Sequence, residues 1–113
     1  MKRLLVCGGR DYADRQRVIL ELNAERPDVV ITGGAQGADS LASNIALSAG
    51  IPTIIMPAPW VRYGKSAGPV RNGWMLKHAS PTHVLAFPGG AGTADMVSRA
   101  RAAGIVVREV VGG

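Results

Sequence analysis

Cysteine, aromatic residues and charge are all scarce in this chain. Cys7 is the single cysteine among 113 residues, which excludes an internal disulfide framework. It sits in an apolar run and reads as a small core hydrophobe. Two Trp, two Tyr and one Phe are the whole aromatic complement. With no basic stripe beside them, they rank single-stranded nucleic acid low among expected partners. Charged residues make up 19%, and no run of like charge exceeds two. The net charge of +5 favours an anionic ligand without choosing between a small phosphate and a polynucleotide. Long apolar runs are missing too. Met1-Lys2-Arg3 leads into four apolar residues before Gly8, so no signal peptide is expected and a cytoplasmic site follows by default. Asn44, Gly50 and Pro52 interrupt the uncharged stretch from Ser40 to Pro59, which argues against a membrane span. His78 and His83 have no Cys, His or carboxylate at metal-binding spacing, so no metal site is expected; no cofactor is expected either.

Glycine, in contrast, is plentiful and placed in pattern. Apolar runs rich in Val and Ile alternate with helical segments. The strands are expected at 3–8, 28–33, 51–57, 82–88 and 105–111, and the helices at 13–25, 37–49, 67–79 and 92–103. Pro27, Gly50, Pro81 and Gly104 follow the helices as stop signals. Near-continuous apolar strands suit a parallel sheet covered on both faces. The chain therefore reads as one α/β domain over residues 1–113, a Rossmann-like three-layer fold with five parallel strands. The long excursion from Ala58 to Ser66 lets the chain return across the sheet. With right-handed crossovers this gives strand order 3-2-1-4-5. The switch point, where such sheets bind ligands, then lies between strands 1 and 4.

Three of the four βα turns carry a Gly-Gly pair after the strand: Gly8-Gly9, Gly33-Gly34 and Gly89-Gly90. Glycine lets a ligand approach the peptide groups. A helix starting there directs N–H groups and partial positive charge at the same place. The first turn adds Arg10, which pairs either with a phosphate or with Asp11 or Asp14. In the second, Gly37 opens the helix, and Asp39 serves either the helix N-terminus or a ribose or base. The crossover combines Trp60, Tyr63, Lys65, Arg71 and Asn72, a basic and aromatic set suited to a phosphate and a stacked base. Pro69 fits a helix start, and Trp74 reads as core or interface. In the fourth turn, Gly89, Gly90 and Gly92 permit an anion nest, with the Thr93 hydroxyl beside it. Gly64-Lys65-Ser66 is not a P-loop, because Pro59 stands where its first glycine belongs.

Taken together, Gly8-Gly9-Arg10-Asp11-Tyr12, Gly33-Gly34-Ala35-Gln36-Gly37-Ala38-Asp39, the segment Tyr63–Asn72 and Gly89-Gly90-Ala91-Gly92-Thr93 resemble the small SLOG-superfamily proteins related to YpsA. The resemblance spans nearly the whole chain and implies a Rossmann-like domain that binds nucleotides or nucleotide-derived ligands. More distant relatives include DNA-processing protein A and the LOG phosphoribohydrolases, which cleave an N-glycosidic bond and carry a Pro-Gly-Gly-x-Gly-Thr-x-x-Glu motif. This chain follows that motif from Pro88 to Thr93, then places Met96 at the glutamate position. A thioether can neither take a proton nor stabilise an oxocarbenium ion.

The leading expectation is thus a module that binds a nucleotide or ADP-ribose-like ligand, as sensor, sequestering protein or effector component. The alternative is an N-glycosidic hydrolase, with Asp39, Asp95 or Asp11 as acid or nucleophile and Arg71 orienting the phosphate. Single-stranded nucleic-acid binding comes third. Helix 37–49 is expected to present Leu41, Ala42, Ile45, Ala46 and Ala49 on one face and Ser40, Ser43, Asn44 and Ser48 on the other. From Ser40 onward it carries no charge, which suggests a homo-oligomer contact.

Overall fold

The computed structural model describes residues 1–111. Five parallel strands form one sheet in the order β3-β2-β1-β4-β5, the order expected. They are β1 (Arg3–Cys7), β2 (Val29–Thr32), β3 (Thr53–Ile55), β4 (His83–Ala86) and β5 (Val106–Glu109). Five helices connect them: α1 (Arg15–Glu25), α2 (Ala38–Ser48), the short α3 (Trp60–Tyr63), α4 (Ala67–His78) and α5 (Ala91–Ala102). A single 3₁₀ turn, Gly64–Ser66, joins α3 to α4.

Alternation along the strands builds two cores. Leu4 and Val6 of β1 and Leu85 of β4 pack with Val18 and Leu22 of α1 and with Ala38, Ala42 and Ala46 of α2. Leu5 and Cys7 of β1 and Val84 and Ala86 of β4 pack instead with Met75 of α4 and with Met96, Val97 and Ala100 of α5. Helices α1 and α2 thus cover one face, and α4 and α5 the other. Each large side chain fully buried in this way contributes about 1.5–3 kcal/mol.

The differences from expectation have local causes. Helix α1 starts at Arg15 and not at 13, because the Asp14 carboxylate accepts the Arg17 N–H at 3.1 Å as an N-cap. Strand β3 is shorter than 51–57: it pairs only with β2, and the flanking Pro52 and Pro57 lack N–H donors. The crossover, expected to be loop, contains α3 and the 3₁₀ turn. On α2, Ser43 and Ala49 are placed opposite to expectation. Ser43 is buried, its hydroxyl 2.7 Å from that of Thr32, and Ala49 is exposed. The inward face follows Ala38, Ala42 and Ala46, and Ser43 joins it because Thr32 satisfies its hydroxyl.

Apart from Glu21, α1 buries only Val18 and Leu22, and charge fastens the rest. Arg108 of β5 pairs with Glu21 at 2.8 Å and with Glu25 at 2.6 Å. Arg17 and Lys2 complete the cluster at 2.6 and 2.7 Å. No helix among the described residues is long and apolar enough to cross a membrane.

Candidate functional site

Where the strand order reverses, the carboxyl ends of β1, β2 and β4 and the N-termini of α4 and α5 enclose a crevice of about 950 Å³. The β1 turn contributes Gly8, Gly9 and Arg10, and the β2 turn Gly33, Gly34 and Asp39. Trp60 and Lys65 come from the crossover, Arg71 and Asn72 from α4, and Gly90, Gly92, Thr93 and Asp95 from α5. Four residues singled out from the sequence stand elsewhere. Gly37 packs under the β1 turn, and Asp11 is exposed outside the crevice. Gly89 faces a neighbouring groove, and Tyr63 lies edge-on to Trp74 at 6.0 Å between ring centroids. Gly68, in the first turn of α4, also lines the crevice, a placement with no local signal in the sequence. Cys7 lines the floor, where burial above all, with Asp39 nearby, pushes its thiol up to about 12.

The glycines divide into two groups. A Cβ on Gly8 would fall 2.6 Å from the Ala38 Cβ, and one on Gly89 would fall 2.6 Å from the Gly9 nitrogen. Gly37 combines a φ of +80° with a Cβ position that overlaps the Gly9 carbonyl. These glycines let the turns pack closely against one another and against the start of α2. Gly90 and Gly92 are different: among the described residues, nothing stands within 4 Å of their Cβ positions. The framework does not require glycine there, and both residues border open space in the crevice.

The turns also differ in which donors they leave free. In the β2 turn, Gly33 and Ala35 donate to the Asp39 carboxylate at 3.1 and 3.3 Å, and Gly34 donates to the Thr32 hydroxyl at 3.3 Å. Burial raises the Asp39 carboxyl above its ordinary value, opposed by these backbone bonds and by the Arg71 charge. In the β1 turn, the Gly9 N–H goes to the Pro88 carbonyl at 2.9 Å. At α5 the first backbone bond is from Ala94 to Gly90, at 3.0 Å, and no side chain caps the helix. The N–H groups of Ala91, Gly92 and Thr93 precede it, without intrahelical partners.

A chain of polar contacts braces these turns from below. Arg71 donates from Nη1 to the Gly33 carbonyl at 2.8 Å and from Nε to Asn72 Oδ1 at 3.1 Å. Asn72, itself buried, donates to the Gly92 carbonyl at 3.2 Å and to Asp95 at 3.0 Å. Asp95 is ion-paired with Arg99 at 2.8 Å. Above the crevice, the Arg10 guanidinium lies 5.5 Å from the Trp60 ring centroid. Met96, at the position of the LOG glutamate, is 1% exposed and packs in the core on the inner side of α5. Among the described residues, no three His, Cys, Asp or Glu side chains stand close enough together to hold a metal ion.

A doubly wound parallel sheet with a ligand-sized crevice at its switch point defines the Rossmann-like class of α/β domains. A family model described as YAcAr, the YspA, cpYpsA-related SLOG family, matches residues 2–63. The Gene 61 protein of Mycobacterium phage D29 is 35% identical over 119 residues, covering 95% of this chain and 94% of that protein. The chain belongs to the YspA, cpYpsA-related SLOG family.

Proposed function

We propose that this protein binds a nucleotide or a nucleotide-derived, ADP-ribose-like phosphate ligand in the crevice. It would act in the cytoplasm as a sensor, a sequestering protein or part of an effector. One observation carries this reading: the α5 turn keeps its N–H groups free next to two glycines, Gly90 and Gly92, that packing does not explain. The phosphate would rest on that turn beside the Thr93 hydroxyl, with Arg10 and Lys65 supplying charge. Arg71 would add charge from the free edge of its guanidinium while holding the Gly33 carbonyl. Trp60, half exposed, offers a face for the base.

The surroundings of the carboxylates favour binding over hydrolysis. Asp39 accepts two backbone N–H groups, Asp95 is paired with Arg99, and the glutamate position is the buried Met96. The test is a thermal-shift panel of AMP, ADP, ADP-ribose and NAD, each sample followed by HPLC. A ligand at 100 times its Kd adds about 2.7 kcal/mol to stability. A shift with the ligand recovered intact supports a binding module. Free base in the chromatogram would replace it with the glycosidase reading. No shift with any nucleotide at millimolar concentration would sink it.

Self-association through α2 is proposed alongside, because its outward residues Asn44, Leu47 and Ser48 carry no charge and Leu47 is more than half exposed. Light scattering at high micromolar concentration tests it, and a monomer mass would refute it.

A further inference from the structure

A second groove, of about 770 Å³, lies on the other side of the α5 N-terminus. It runs between α5 and the carboxyl ends of β4 and β5. Gly90 and Thr93 line both this groove and the crevice. Since no side chain stands at Gly90 and no described residue lies within 4 Å of its Cβ position, the described residues raise no wall there between the two cavities. From Gly90 the groove follows one face of α5 through Ala94 and Val97 to Arg101. At 1.5 Å per residue that stripe is about 16 Å long. Its floor is apolar, built from Ala94, Val97 and Val110. At its far end Glu109 and Arg101 form an ion pair at 2.9 Å, with both side chains more than half exposed.

A mononucleotide held by its phosphate at the first turn of α5 would occupy only one side of that turn. We propose that the groove is the second half-site for a two-ended ligand, a dinucleotide or nucleoside-diphosphate sugar. One nucleoside half lies in the crevice, the pyrophosphate crosses the first turn of α5, and the distal sugar or base lies in the groove. The apolar floor suits the face of a flat or puckered ring. The Glu109 carboxylate accepts from sugar hydroxyls, as an acidic residue does for ribose in dinucleotide-binding sheets, and Arg101 holds it in place. This inference rests on the phosphate reading of α5.

Isothermal titration calorimetry separates the two ideas, using AMP, ADP, ADP-ribose and NAD as probes. The variant is Ser98→Trp, a change at an exposed position on the groove wall that fills the groove and leaves the crevice untouched. Far-UV circular dichroism confirms that the variant folds. In the parent protein, ADP-ribose and NAD bind at least tenfold more tightly than ADP. In Ser98→Trp they fall to the ADP affinity, while ADP itself changes less than twofold. Glu109→Gln lowers ADP-ribose affinity and spares ADP. If ADP binds but ADP-ribose gains nothing over it, or if Ser98→Trp weakens both alike, the second half-site is refuted and the phosphate site stands. If none of the four probes binds, both fall together.

Discussion

Replacing Gly37 or Gly92 by alanine should have opposite consequences, although both glycines border the same cluster of turns. Gly37 has φ +80° and ψ −127°, and its Cβ position overlaps the Gly9 carbonyl. Holding an L-residue in such a backbone costs about 1–3 kcal/mol before the overlap is counted. Gly92 lies inside α5 and is not among the positive-φ residues, and a Cβ there meets nothing. Gly92→Ala should stabilise the fold by about 0.4–1 kcal/mol, through the lower entropy of the unfolded chain. At roughly 4 °C per kcal/mol, the two variants separate by at least about 6 °C in Tm. Ligand response runs the other way. The added methyl on Gly92 crowds the space a phosphate oxygen must enter, so the roughly 2.7 kcal/mol that saturating nucleotide supplies should largely disappear. The assay is thermal unfolding of both variants with and without the best nucleotide. If Gly92→Ala is destabilised as much as Gly37→Ala, Gly92 is a framework glycine. If Gly92→Ala keeps its full ligand shift, the phosphate does not sit on α5.

Three further outcomes are expected. Hydrogen bonding to Arg17, and to Arg108 beside it, holds Glu21 below its ordinary value of 4.5. Its stabilisation is therefore present above pH 4.5 and lost as pH falls through the lowered value. Glu21→Gln should cost about 1–2 kcal/mol in urea unfolding at pH 7, and progressively less as pH falls below 4.5. Asp39 has the opposite sign: burial raises it above 3.8, so its ionisation weakens the fold as pH rises through the window from 3.8 to the raised value. Asp39→Ala should flatten that part of the stability–pH curve, yet leave the Gly33 and Ala35 N–H groups without their acceptor, at about 1–3 kcal/mol each where water cannot reach. Met96→Glu, which restores the LOG motif in sequence, should release no base from AMP by HPLC. It should also lower stability by about 3 kcal/mol or more, because the new carboxylate enters the core.

The strand order was legible in the sequence because one connection is long and the others are short, and handedness does the rest. The crevice followed from the order. The β1, β2 and β4 turns are local features, so their glycines could be found by eye, but the reason for each glycine could not. Gly8, Gly37 and Gly89 serve contacts between segments as much as 81 residues apart in the chain, from Gly8 to Gly89, which no local pattern encodes. The same limit hid the role of Arg71, whose partner is the main-chain carbonyl of Gly33, 38 residues away. Helix α3 was missed because four residues between Pro59 and Gly64 are too few to show a helical period. Ser43 was turned outward because a serine on a helix ordinarily faces water, and the buried hydroxyl of Thr32 that receives it lies on another element.

The peptide groups of Gly9 behave like a keystone. Its N–H holds the β4 turn through Pro88, while its carbonyl accepts from Tyr12 before α1 and from Ala38 at the start of α2, both at 3.2 Å. The three loops that rim the crevice therefore cannot be redesigned one at a time, because a change of length in any of them displaces the other two. The crossover from Pro57 to Ser66 escapes this constraint. Gly64 bonds only to its neighbours Trp60 and Ala67 among the described residues, a Cβ there would meet open space, and Val61 projects fully into solvent. Variation in length, and the recognition differences that length brings, can be absorbed there without disturbing the rest of the rim.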